Sequence, residues 1–151
     1  MIDGSTLSGG GYQFEVFGNP LPQQYKVGRG RIYNANATWK EQVRWQIKPT
    51  APEEPLTGPI ELTTVFFLKI PKSVTRKTRE QMINRVILPS HKPDASNLDY
   101  LVENALTGLV YVDDSQVCAK HVYKFYGTVP KTVIKVRPIW TFTEVGLAEC
   151  V

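Results

Sequence analysis

Between Ser96 and Leu109 the apolar residues recur at a helical interval: Leu98, Leu101, Val102, Ala105, Leu106 and Leu109 fall at i, i+3, i+4, i+7, i+8 and i+11. Such spacing draws one apolar stripe along a helix, and a stripe that wide has to be covered by another apolar surface. Strand-like segments elsewhere can provide it. From Tyr12 the chain alternates, with Tyr12, Phe14 and Val16 on one side, and Ile60 to Ile70 reads IELTTVFFLKI, β-branched and aromatic. The stretches VCAKHVYKFYG and KTVIKVRPIWTFTEV alternate on either side of Gly127 and Pro130. A second helix is expected from about Ala37 to Ile47, with Asn36 as a candidate N-cap and Trp39, Val43 and Ile47 four residues apart. Pro49, Pro52 and Pro55 would end it. The expected class is α+β, with a mostly antiparallel sheet packed against helices.

A chain of 151 residues with 42% hydrophobic content can build one core. A single domain over residues 12–151 is therefore expected, after a flexible glycine-rich tail, MIDGSTLSGGG, at residues 1–11. No apolar run is long enough to span a bilayer and no secretory leader is seen, so a cytoplasmic location is expected. The two cysteines, Cys118 and Cys150, suggest neither a disulfide framework nor a cysteine metal site. The net charge of +4 and pI of about 9.1 favour polyanionic partners.

The cations are grouped. Lys26, Arg29 and Arg31 stand among Gly28 and Gly30, which suits a mobile basic loop able to follow a phosphate backbone. Between Lys69 and Arg85 the chain carries Lys72, Arg76, Lys77 and Arg79 against a single acid, Glu80, and Ser73 or Thr75 could cap a short helix there. Both segments could equally be solvated surface. With Lys120 on a later strand, these residues form the candidate DNA-binding set.

The acids gather around the long helix. Asp94 precedes it, Glu103 shares the face opposite the leucine stripe with Ser96, Tyr100 and Thr107, and Asp113 and Asp114 lie in its exit turn. If that turn returns the chain to its start, the acids converge, and convergent carboxylates call for a hard divalent cation such as Mg²⁺. In a basic protein, Lys and Arg would hold a phosphodiester while the metal activates water: nuclease chemistry. Structural duties stay open for each acid, namely helix capping for Asp94, turn formation for Asp113 and Asp114, and solvation for Glu103.

The segments KPDASNL and ENALTGLVYVDDSQV, with GNPLPQQ near the start, resemble the RusA family of Holliday junction resolvases, mostly phage or prophage encoded. The resemblance implies a homodimeric α+β endonuclease that uses Mg²⁺, or Mn²⁺ in its place, to nick symmetry-related strands of four-way DNA junctions in recombination and repair. It places the first catalytic acid on Asp94 and a second on Asp114, with Asp113 beside it. The family often has an aspartate where this chain has Ser96 and a lysine where it has Tyr100. A variant pattern with serine there carries a glutamate that falls on Glu103, which ranks ahead of Asp99 as third ligand. Lys92 is then the cation best placed in sequence to replace the missing lysine. The expected catalytic set is Asp94, Asp114, Glu103 and Lys92, and the metal set Asp94, Asp114, Asp113 and Glu103. The alternative is a protein that binds branched DNA without cutting it.

Overall fold

The computed structural model describes residues 10–140. It has a four-stranded sheet ordered β1-β6-β4-β5, a separate two-stranded ribbon β2-β3, and three α-helices. The strands are β1 Tyr12–Phe17, β2 Tyr25–Gly28, β3 Arg31–Asn34, β4 Ile60–Lys69, β5 Val117–Gly127 and β6 Lys131–Pro138. The helices are α1 Ala37–Ile47, α2 Arg76–Ile83 and α3 Ala95–Leu106. β6 runs antiparallel to both β1 and β4, while β4 and β5 are parallel. A parallel pair needs a long crossover, and here α2 and α3 lie within it. The expected α+β class holds.

Alternation fixes which sheet face is covered. In β4, Ile60, Leu62, Thr64, Phe66 and Leu68 are buried while the residues between them are only half-buried. The buried set joins Phe14, Val16, Ile134 and Val136 from neighbouring strands, Trp39, Val43 and Ile47 from α1, and the leucine stripe of α3 in one core. The opposite face carries Val65, Phe67, Tyr123, Phe125 and Val133, with the Arg85 guanidinium 5.3 Å from the Phe125 ring centroid. Arg85 thus leaves the basic run to stack on this outer face. At the end of β1, Gly18 has φ +123, and a Cβ there would lie 2.7 Å from the Trp39 ring, so only glycine lets the chain pass over α1.

Three local expectations change. α1 has the expected bounds, but Asn36 makes no side-chain cap bond and instead donates from Nδ2 to the Pro22 carbonyl at 2.7 Å. α3 stops at Leu106 rather than Leu109, because other groups take its last carbonyls. Arg44 Nη1 donates to Ala105 O at 2.8 Å and Thr107 O at 3.1 Å, and the Tyr111 hydroxyl donates to Glu103 O at 2.8 Å. The basic loop is the ribbon β2-β3, turning through Arg29 and Gly30 with φ of 50° and 72°. Two successive positive φ values match the twist of the flanking strands, which is why so short a turn suffices. Thr75 caps α2 as one of the two candidates, its hydroxyl accepting from Thr78 N at 3.2 Å. Of the expected tail at 1–11, residues 1–9 lie outside the described residues, as do Cys150 and the last alternating segment beyond Trp140, while Gly11 is buried beside β1.

Candidate active-site groove along the third helix

α3 lies beside the edge strand β5, and the two together define a groove. Lys124 pins its upper end, donating from Nζ to the carbonyls of His91 at 2.9 Å and Pro93 at 2.8 Å. Asp94 follows. It occupies the N-cap position with extended backbone (φ −69°, ψ 142°), yet its side chain makes no cap hydrogen bond. The capping duty left open for Asp94 is therefore not performed, and its carboxylate is exposed to solvent. It lines a cleft of ≈ 440 Å³ together with Lys92, Asn97 and the segment Asn19 to Gln24. That segment is the GNPLPQQ stretch, tied down by Gln23 N donating to Asn97 O at 2.9 Å and by Lys69 N donating to Asn19 Oδ1 at 3.1 Å. Two motifs far apart in sequence thus meet at one site.

A second cleft, ≈ 430 Å³, continues down the helix past Ser96, Asn97, Asp99, Tyr100, Glu103, Lys120 and Val122. Asp99 and Glu103 are one turn apart and only 2% and 8% exposed. Buried carboxylates are costly unless paired. Lys120 Nζ lies 3.0 Å from Asp99 Oδ2 and 2.6 Å from Glu103 Oε2, and Thr64 Oγ1 donates to Asp99 Oδ1 at 2.8 Å. Partial burial pulls the Lys120 pKa down, but hydrogen bonds to and the charges of Glu103 and Asp99 outweigh it, so the net shift is upward. Lys120 stays a cation at neutral pH. Tyr100 is exposed and close enough to the Tyr25 hydroxyl of the ribbon to push the Tyr25 pKa up.

The acid pair at the far end divides its duties. Asp113 accepts from Ser115 N at 3.0 Å, and Gln116 Oε1 accepts from Asp113 N at 2.9 Å, closing a capping box around a 3₁₀ turn at Asp114–Gln116. Hydrogen bonds from the Ser115 side chain and backbone hold the Asp113 carboxyl below its ordinary value. Asp113 is thus a turn residue. Gln116 Nε2 anchors the turn to Leu56 O and Gly58 O, both at 2.9 Å, where the chain enters β4. Asp114 is half-buried, and its charge, behind burial and the Glu103 charge, helps to push the Tyr111 hydroxyl pKa up.

The expected convergence does not occur. Asp94 lies off the N-terminal end of α3 and Asp114 beyond its C-terminal end, and a helix of 12 residues is about 18 Å long. Among the described residues no three His, Cys, Asp or Glu side chains group where a metal ion could be held. Where two acids do meet, at Asp99 and Glu103, the cation between them is Lys120. The quartet Asp94, Asp113, Asp114 and Glu103 therefore does not come together as a three-acid group among the described residues of one copy.

The cations of the basic run lie on the surface. Lys72, Arg76, Lys77 and Arg79 are all exposed on or beside α2, with Arg76 in a loose surface pair with Glu80 at 3.5 Å. Of the cations, Lys92 lines the upper cleft itself. Lys120 instead belongs to the groove floor. Asp99, ranked behind Glu103 as a ligand, is joined in the groove by Thr64, Lys124 and Asn97, which the sequence did not mark. Asp99 sits on the flank of the leucine stripe, buried with Thr64 of β4 and Lys120 of β5 against its carboxylate.

A family profile described as Endodeoxyribonuclease RusA matches residues 14–137, which includes every residue of both clefts. The chain is also 29% identical over 136 residues to a Bacillus subtilis (strain 168) protein named "Uncharacterized protein YqaN", covering 84% of this chain and 96% of that one. With a match over most of its length, this chain belongs to the RusA endodeoxyribonuclease family.

Proposed function

We propose that this protein is a structure-selective endodeoxyribonuclease that nicks four-way DNA junctions in pairs, using the α3 groove. The supporting observation is the uncapped Asp94 carboxylate, set in a cleft beside Lys92, in a chain of this family. Lys92, with the cations of α2 and the ribbon, holds the phosphate backbone and offsets its charge, while Asp94 faces the phosphodiester. Lys120, fixed by Asp99 and Glu103, supplies a rigid positive charge at the neighbouring cleft, where Tyr100 replaces the usual lysine.

Mg²⁺ or Mn²⁺ would supply an activated water and stabilisation of the leaving oxygen. No three of these acids group within one copy among the described residues, which supports a joint role for Asp94 and Asp114 across two copies, with Asp94 of one meeting Asp114 of the other. This agrees with the homodimer implied by the resemblance and with the two-fold symmetry of a four-way junction.

A second reading, a branched-DNA-binding protein without cleavage, is favoured by Ser96 and Tyr100 and by the lack of a three-acid group among the described residues. The test compares four-way junctions, flaps and linear duplexes with Mg²⁺ or Mn²⁺ and with EDTA. Metal-dependent, symmetric nicks confined to the junction support the nuclease. Tight junction binding without nicks under any metal leaves the binding protein.

A further inference from the structure

The ribbon β2-β3 is not a simple extension of the fold. Register and alternation give it two unlike faces. Tyr25, Val27 and Ile32 lie on one face, with Val27 opposite Ile32, and these two side chains are 75% and 73% exposed. Lys26, Arg31 and Tyr33 lie on the other, and Arg29 stands at the tip. The sequence from Tyr25 to Asn34 contains no acid, and none of its three cations makes an ion pair among the described residues. A two-stranded ribbon exposing aliphatic side chains is marginal in water by itself, so the apolar face is poised for a partner.

The base of the ribbon, by contrast, is firmly held. Asn34 Nδ2 donates to Gln23 Oε1 at 3.1 Å, Asn34 Oδ1 accepts from Asn36 N at 3.0 Å, and Ala35 N donates to Gln24 O at 2.7 Å. Through Gln23 N, which donates to Asn97 O at 2.9 Å, it is tied to the first turn of α3. The ribbon therefore rises directly beside the Asp94 cleft.

We infer that the ribbon is a branch-reading arm, whose Val27–Ile32 pair packs against unstacked bases at the centre of a DNA branch while Lys26, Arg29 and Arg31 grip the flanking phosphates. The charge pattern selects this occupant. Apolar surface bordered by dense negative charge is what splayed bases between phosphates present, and a two-stranded ribbon fits a DNA groove. A second copy of this chain would bring the same unpaired cations against themselves. The inference rests on the functional reading above, since it concerns how branched DNA is told from duplex.

The test uses a synthetic four-way junction with 2-aminopurine at the branch point and a linear duplex of one arm sequence. The proteins are wild type, Val27→Ser/Ile32→Ser and Val27→Leu/Ile32→Leu. The serine variant is expected to keep duplex affinity within about twofold and to lose junction preference by about tenfold or more, the order expected on returning two aliphatic side chains to water. The 2-aminopurine change on binding disappears with it, and the leucine variant retains both properties. Equal loss on junction and duplex overturns the inference, as does an unchanged preference. Dissociation of a wild-type dimer by the serine pair, seen in sedimentation, overturns it in favour of a contact between copies. If the wild type itself does not prefer junctions, the functional reading fails instead.

Discussion

The Lys120 ammonium lies 2.6 Å from the Glu103 carboxylate, and the same nitrogen reaches Asp99 at 3.0 Å. One cation on the edge strand thus locks two acids of α3, one turn apart, against the sheet. Glu103 is spent on holding Lys120 and is not free to act as a ligand by itself.

Replacing Lys120 with methionine leaves two buried carboxylates facing each other. The expected loss is about 1–3 kcal/mol in urea unfolding, below the ~3–5 kcal/mol of a fully buried pair because the lysine is partly solvated. Asp99→Asn in the same background recovers part of it by removing the repulsion.

The same lock has a pH signature. The Lys120 pKa is raised in the folded protein, so its stabilisation is complete below the ordinary lysine value of about 10.4 and is lost as pH rises through the folded value. The melting-temperature gap between wild type and Lys120→Met should stay constant from neutral pH to about pH 9 and narrow above about pH 10.4.

Arg44 caps the C-terminal end of α3 through Ala105 O and Thr107 O. Arg44→Met should cost about 1–2 kcal/mol by leaving these carbonyls without a cationic donor. Junction affinity at low temperature, where the variant remains folded, should not change.

Much of this fold was legible from residue order alone. The bounds of α1, the buried side of β4 and the leucine stripe follow from periodicity, because burial on one face has a fixed period. Lengths and meeting points were less legible. α3 loses its last expected turn to Arg44, Tyr111 and Thr107, whose contacts span up to 63 residues of sequence. The ribbon was hidden because Arg29 adopts a positive φ usually left to glycine or asparagine. The acids flank and lie on α3 as their sequence positions indicate, but angular position said nothing of the length of helix separating Asp94 from Asp114. Asp99 looked peripheral on the helix, yet it is buried with Thr64 of β4 and Lys120 of β5 against its carboxylate.

Paired copies make a specific demand on mixed variants. Asp94→Asn and Asp114→Asn should each be inactive alone. Mixed under conditions that exchange subunits, they should regain nicking at one strand, because one composite site then keeps both acids. No recovery, with exchange confirmed by tagged subunits, would contradict a site shared between copies.

Cations on α2 should act through phosphate alone. Lys77→Ala with Arg79→Ala should weaken binding to junction and duplex alike, and make the dependence of log affinity on log salt shallower by up to about 2 units, near 0.9 per phosphate contact.

The most direct test of the groove as a nuclease site measures nicking and binding of a labelled four-way junction in one reaction series, with wild type and Asp94→Asn, under Mg²⁺ or Mn²⁺ and under EDTA. The expected result is metal-dependent nicking by the wild type that falls at least about 10²-fold in Asp94→Asn, while junction binding is unchanged or tighter. Wild-type nicking rates in Asp94→Asn would contradict the account.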